Sequence, residues 1–596
     1  MLRVFTALIA VALCVPAVRA ADAPLAEGYW RLSQVVGVNE SGLFVMKVEK
    51  KDGKLNASVV SGSSTQNWEV GNAKIDGSTV TLDVSIGDTK YKFEGVADAK
   101  DEKVIRGAMF DDARAFRMQF VKQDGEKIEP IPASARPRAP QQLIEVSKMN
   151  SAVLTLRGQI RKEKDINNKA ELQEKLKAAQ KEINDKSPAL YREVLAKHAG
   201  SKFAVEAAGQ LLTAAGRIKP KAEEVAEWVK IVDADSSKFG PRIRQDSALR
   251  IGEGLVVQKE VAALALPVAE KIAADLKGKE PLKTQSRVYR LLAAAQKAAG
   301  KTDAGTEAKF SKIESELDAE YAKTVPPFKP EKFAGRKDKS ANRVVVMELF
   351  TGAQCPPCVA ADVAFDALEK VYDPTDLVLI QYHMHIPGPD PLTNKDSIAR
   401  YESYGERFPG QVQGTPSVLF NGKPFGEYDK DPMHRGGGAM SNARNKYDQY
   451  KSIIDTLLEE KSTIKMDGSV KLAGEKVSIN LNIDGVASPS DKIKLRILLL
   501  EESIKYVGGN GLRVHHQVVR KVTEVSSVKE KSLKQTIAID LSELKTNLNK
   551  YLDEFAAETP FPYTERPLDF KHLKAVALIQ DDDSGEILNA VQLDVK

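Results

Sequence analysis

The run from Asn342 to Phe350, "NRVVVMELF", constrains this chain more than any other stretch. A strand so continuously apolar and β-branched is buried on both faces, so the fold must supply a covering layer on each side. A second run, "DLVLIQYHMH" (376–385), makes the same demand. Between them, "VAADVAFDALEKVY" (359–372) places Val359, Val363, Leu368, Val371 and Tyr372 at helical spacing. Further on, "GTPSVLFNGKP" (414–424) reads as a strand headed by Thr415-Pro416 with an Asn-Gly turn after it, and "ARNKYDQYKSIIDTLLEE" (443–460) reads as a helix. Residues 343–460 therefore read as one α/β domain.

The rest of the chain changes period several times. Residues 25–125 alternate polar and apolar, as in "GLFVMKVEKKDGKLNASVV" and "STVTLDVSIGDTKYKFEGV", which predicts an all-β meander of about six to eight strands closing as a barrel or sandwich. Its opening Gly28-Tyr29-Trp30 is similar to the Gly-x-Trp start of lipocalin-like barrels. Residues 126–142 are a proline-rich linker. Residues 143–325 carry apolar positions at three- and four-residue spacing without a clean repeat, an irregular helical array in which His198 ends a helix before Gly200. A second linker is expected over 326–342, and alternation from 465 to 596 predicts a separate C-terminal β-sandwich. The expected architecture is multidomain α+β.

The first twenty residues, "MLRVFTALIAVALCVPAVRA", read as a signal peptide: a basic start, an apolar run shorter than the roughly 20 residues a spanning helix needs, and small residues at Val18 and Ala20. Cys14 would leave with it, so the mature chain is expected in an exported setting, periplasm, cell envelope or secreted, with two cysteines, Cys355 and Cys358. A pair three positions apart makes a poor staple. Closing so short a loop contributes about 2 kcal/mol by chain entropy, against about 4.7 kcal/mol for a loop near 100 residues. At a strand-to-helix junction, in contrast, unpaired amides and the macrodipole favour a thiolate, the form that attacks disulfides.

The order strand, "CPPC", helix, strand, crossover, Thr-Pro, strand, turn, strand, helix resembles the thioredoxin fold. The "ELFT" strand end is similar to that of secreted thioredoxin-like proteins, and the C-terminal β segment resembles the arrangement of the outer-membrane Omp28-like family. The resemblance implies that Cys355 attacks, that Cys358 resolves the mixed disulfide, and that a cis Thr415-Pro416 faces the pair and binds a substrate strand. It also offers Glu348 as a proton relay, though Glu348 lies seven positions ahead of Cys355 where the fold usually has six, and Gln354 stands where thioredoxins usually have tryptophan. His383 and His385 would lie beside the pair and modulate it. His434 reads as solvated in a loop at 426–440, and His515 and His516 point to opposite faces of a strand.

The expected function is a thiol–disulfide oxidoreductase acting on protein thiols or disulfides, with an external redox partner and no dissociable cofactor or metal. Two other readings stay open: an envelope interaction scaffold with idle thiols, and a zinc or copper site that adds His383 and His385 to the cysteines. With 88 basic and 83 acidic residues, a net charge of +5 and 6% aromatics, nothing predicts a nucleic-acid partner. No stretch after the signal is expected to span a membrane.

Overall fold

The computed structural model describes residues 25–595, apart from 52–53, 63–66, 88, 99, 112–114, 131–136, 164, 425–436, 524–525 and 562. The expected signal peptide and His434 lie outside the described residues. The chain is α+β and splits into two compact units between Phe310 and Ser311.

In the first unit, eight antiparallel strands form a nearly closed barrel: β1 (Gly28–Val36), β2 (Asn39–Lys51), β3 (Lys54–Gly62), β4 (Trp68–Asp76), β5 (Thr79–Ile86), β6 (Thr89–Asp98), β7 (Asp101–Phe110) and β8 (Ala115–Gln123). Their order is β3-β2-β1-β8-β7-β6-β5-β4. The period-2 alternation sends Trp30, Leu32, Phe44, Phe93 and Phe120 inward, with Phe93 and Phe120 edge to face at 4.9 Å. Helices between Gln141 and Phe310 follow, and His198 is the C-cap of the helix Ile166–Lys197. Arg117 of β8 ties barrel to helices through Asp235 at 2.9 Å and Ser236 at 2.8 Å.

In the second unit, β9 (Val345–Thr351) and β10 (Leu377–His383) run parallel, and β11 (Ser417–Phe420) pairs antiparallel with the other edge of β9. Both central strands are buried throughout, as their apolar runs require. Odd-numbered Val345, Met347 and Leu349 pack under the helices Val359–Glu369 and Ala443–Leu457. Even-numbered Val346 and Phe350 face the opposite layer, where the helix Lys395–Arg407 contributes Tyr404.

Two expectations fail here. The C-terminal segment is not a separate sandwich. Its strands β15 (Val514–Val522), β14 (Ser490–Lys505), β18 (Leu573–Asp581) and β19 (Ile587–Asp594) extend the sheet beyond β10, in the order β11-β9-β10-β15-β14-β18-β19, with β16 (Ser526–Val528) on β14. The remaining strands, β12 (Lys465–Ala473), β13 (Lys476–Asp484) and β17 (Leu533–Asp540), form a three-stranded sheet of their own. That sheet shares a core with the face of β14 and β18 carrying Leu495, Ile497, Ala575 and Ala577. The other face of the same strands, with Leu498, Leu500, Val576 and Leu578, joins Val346, Val378 and Ile380. A strand apolar on both faces needs two partners, and the cysteine segment is one of them.

Nor is 326–342 a free linker. Phe328 and Phe333 pack against the core beneath the cysteine helix, and Arg336 pairs with Asp376 at 2.8 Å and bonds the carbonyl of Leu458.

Candidate functional site

Strand β9 ends at Thr351, and the turn Gly352–Gln354 delivers Cys355 to a short 3-10 turn, Pro356–Cys358, that leads directly into the helix Val359–Glu369. Cys355 and Cys358 form a disulfide. Thr415 lies across from it. Its hydroxyl donates to Cys355 Sγ at 3.3 Å, its carbonyl oxygen is 3.8 Å from that sulfur, and the peptide bond to Pro416 is cis.

The expected source of thiolate stabilisation needs correcting. Pro356 and Pro357 carry no N–H. The next three amides all have protein acceptors: Cys358 donates to Cys355, Val359 to Pro356, and Ala360 to Gly438 at 2.9 Å. The hydrogen bond reaching Cys355 comes from the Thr415 side chain instead. Both sulfurs are also covered, Cys355 being 1% exposed and Cys358 0%.

Behind the pair lies a polar chain that the apolar pattern concealed. Asp362, one turn beyond Cys358, accepts hydrogen bonds from Thr351 at 2.9 Å and Gln381 at 3.0 Å. Burial pushes its carboxyl well above the usual carboxylate range. The Thr351 hydroxyl offsets this in part, while Asp366 and Asp390 reinforce it. Gln381 also meets His383 Nε2 at 3.0 Å, and His383 Nδ1 meets Asp390 at 2.7 Å. Asp390 in turn accepts the Ala353 amide at 2.6 Å and so holds the turn ahead of Cys355. Burial alone would raise the Asp390 carboxyl, but His383 and the backbone amides of Ala353 and Leu392 hold it below its ordinary value.

Glu348 is placed elsewhere. It lies on the face of β9 toward the helix Lys395–Arg407, where Arg400 reaches it at 2.9 Å and Tyr382 donates at 2.9 Å, with Tyr404 as a further donor. Its partners Arg400, Tyr382 and Tyr404 all lie on that side of the sheet, whereas Asp362 sits in the cysteine helix one turn after Cys358. The sequence signal was there: before Glu369 at its end, Asp362 and Asp366 are the only polar residues of the helix.

His383 and His385 do not form an open pair. His385 follows the end of β10 and stacks on Phe555 at 3.6 Å. Its Nδ1 accepts from the Asp390 amide and its Nε2 meets Tyr551 at 2.9 Å. All four ring nitrogens of the two histidines are engaged. Among the described residues, no group of three or more His, Cys, Asp or Glu is placed to hold a metal ion.

His515 packs edge-on to His383 at 4.9 Å, whereas His516 pairs with Glu369 at 2.9 Å. Burial lowers His516, but Asp366 and Glu369 together raise it to about 9. A histidine raised from about 6.5 contributes its full stability below that value and loses it as the pH climbs through the folded value. We expect urea denaturation to show a loss on the order of 3 kcal/mol between pH 6.5 and 9.5, and His516→Gln to flatten that limb. An unchanged limb in the variant would place the alkaline loss elsewhere.

No family model matches the chain, and no curated protein does. Among solved structures, protein AGR_C_4864 of Agrobacterium tumefaciens overlaps at 18% identity and a TM-score of 0.26, covering 42% of this chain and 94% of that one. The alkylpurine DNA glycosylase AlkC of Pseudomonas fluorescens, bound to DNA containing an abasic site analog, overlaps at 10% identity and a TM-score of 0.14, covering 77% of this chain and 100% of that one. At such scores neither overlap bears on fold or function. Among the described residues no helix is long and apolar enough to cross a membrane.

Proposed function

We propose that residues 343–460 form the thioredoxin-type part of the wider sheet, and that the protein is an exported thiol–disulfide oxidoreductase working through Cys355 and Cys358. The observation that carries this reading is the meeting of Thr415 with Cys355 Sγ at the end of a β11-β9-β10 core, whose parallel and antiparallel pairings are those the fold requires. In the reducing direction the Cys355 thiolate attacks a substrate disulfide. One S–S bond forms, another breaks, and the first substrate thiolate leaves. Cys358 then attacks Cys355 Sγ, releases the second substrate thiolate and closes the pair. Two electrons pass to the substrate, and an external dithiol restores the thiols; the oxidising direction is the reverse.

Asp362 supplies the proton handling in this scheme. Helical side chains lean toward the N-terminus, so a residue four positions after Cys358 reaches back over it. A carboxyl that burial keeps protonated can exchange a proton with the Cys358 sulfur as that sulfur alternates between thiolate and disulfide.

The burial of both sulfurs favours a second reading, a non-catalytic envelope scaffold with a static disulfide. One experiment separates the two. The purified protein is titrated in glutathione and dithiothreitol buffers, and Cys358→Ser is offered a disulfide-bonded protein substrate. We expect a reversible two-electron transition within about −270 to −120 mV and a mixed disulfide trapped on Cys355. A pair that never cycles, with no trapped adduct, would leave the scaffold.

A further inference from the structure

The segment after β14, "YVGGNGLR" (506–513), lies against the cysteine turn from one end to the other. Asn510 donates its backbone N–H to the Ala353 carbonyl at 3.0 Å and its side-chain amide to the Gly352 carbonyl at 3.3 Å. Gly509 N–H donates to Gln354 Oε1 at 3.0 Å. Past the disulfide, Leu512 is 1% exposed and packs on Val359 and Val363 of the cysteine helix. The approach is so close that a Cβ at Gly508 would overlap the Ala353 carbonyl oxygen, and one at Gly509 would overlap the end of the Gln354 side chain. Neither glycine adopts a left-handed φ, so it is the lack of space, not backbone conformation, that requires glycine at 508, where the obstacle is backbone; at 509 the obstacle is the end of a side chain that can move.

Gly352, Ala353 and Gln354 thus present a row of acceptors immediately ahead of Cys355, and each acceptor is filled by this chain's own residues 509 and 510. The two cysteines that follow these acceptors, which a substrate must reach, are themselves buried. A polypeptide arriving at Cys355 would offer N–H groups to the same acceptors, since these are the hydrogen-bonding groups an extended chain carries.

We propose that Gly508–Asn510 is an internal occupant of the face by which a polypeptide substrate reaches Cys355, so that reaction requires this loop to be displaced. The inference rests on the oxidoreductase reading for its purpose. The barrier itself is a property of the loop and is measured separately. Displacement exchanges three hydrogen bonds within the chain for three to the substrate, so a peptide donor can open the site at small net cost, whereas a reagent without N–H donors must wait for spontaneous opening.

The test is the rate at which dithiothreitol reduces the Cys355–Cys358 disulfide in the full chain, read by gel shift after maleimide quenching, for the wild type, G508A, N510A and G509A. Each reduction consumes one dithiol, yields two cysteine thiols and leaves the cyclic disulfide of the reagent. G508A, whose new methyl meets backbone, is expected to react about 10-fold faster or more, equivalent to about 1.4 kcal/mol of easier opening. N510A should follow, and G509A, whose methyl meets a movable side chain but displaces the Gln354 oxygen that accepts the Gly509 N–H, should accelerate less than G508A. The acceleration should be independent of urea below the unfolding transition, which marks local rather than global opening. Wild-type rates in both G508A and N510A overturn the proposal, and if G508A loses cooperative unfolding, N510A decides. An accelerated G508A that turns over no protein disulfide would keep the loop as a barrier and sink the oxidoreductase reading instead.

Discussion

Replacing Arg400 with methionine is expected to destabilise the second unit by about 3–5 kcal/mol, as removal of one partner from a buried ion pair usually does. Arg400 spans the layer. It bonds Glu348 through Nε at 3.0 Å, Gln580 through Nη1 at 2.8 Å and Tyr404 through Nη2 at 2.6 Å, while Glu348 itself is 0% exposed. Burial opposes the guanidinium charge, yet Glu348 and the two tyrosines keep it above its ordinary value. Without it, the Glu348 carboxylate keeps only two tyrosine hydroxyls. The double variant Glu348→Leu with Arg400→Met should lose far less than the sum of the two single changes, because no charge is then left unpaired. Guanidinium denaturation of the oxidised chain reads all four proteins. An additive double variant would mean that the pair is not coupled.

Asp362→Asn is expected to leave stability nearly unchanged and to slow resolution of the Cys355 mixed disulfide by about 100-fold, the lower range of what general acid–base catalysis contributes. The amide is isosteric and can still meet Thr351 and Gln381, so the network survives while the exchangeable carboxyl proton is lost. The decisive measurement is the pH profile of that single step by rapid quench. Wild type should show a limb from a carboxyl titrating well above the usual range, and the variant should lack it. A variant that resolves at the wild-type rate with the same profile would make Asp362 a packing group only.

Much of this was legible along the chain, for local reasons. Strict alternation in 25–125 leaves a strand only one way to bury its apolar side, so the strands of the meander could be read, while barrel and sandwich were told apart only by the pairing of β1 with β8. The runs around Val346 and Ile380 announced strands covered on both faces, and "CPPC" and Thr415-Pro416 marked two loops whose meeting the structure displays. What escaped was pairing across distance. Nothing in the period of β15 says that its neighbour is β10, since an apolar strand is equally content with any apolar face. Glu348 and Arg400 are 52 positions apart. Read alone, Glu348 was a polar break in a strand close to the cysteines, and proximity in sequence made it look like their acid. The two histidines part company for a similar reason: His383, on β10, joins the polar chain behind the pair through Asp390, while His385, past the end of that strand, stacks on Phe555. Asp362 could have been found, because an acid set among Val359, Ala360, Ala361, Val363 and Ala364 must be satisfied from within.

The shared sheet has a consequence for how such a protein can change over generations. Cut after Glu460, the chain would strip β10 of its neighbour β15 and leave Val346, Val378 and Ile380 facing water where Leu498, Leu500, Val576 and Leu578 now lie. A bare apolar strand edge invites pairing with other chains. The cysteine segment is therefore not a cassette that gene rearrangement could lend to another protein by itself. It is heritable only together with its C-terminal strands, so substitutions in one half are selected against the background of the other.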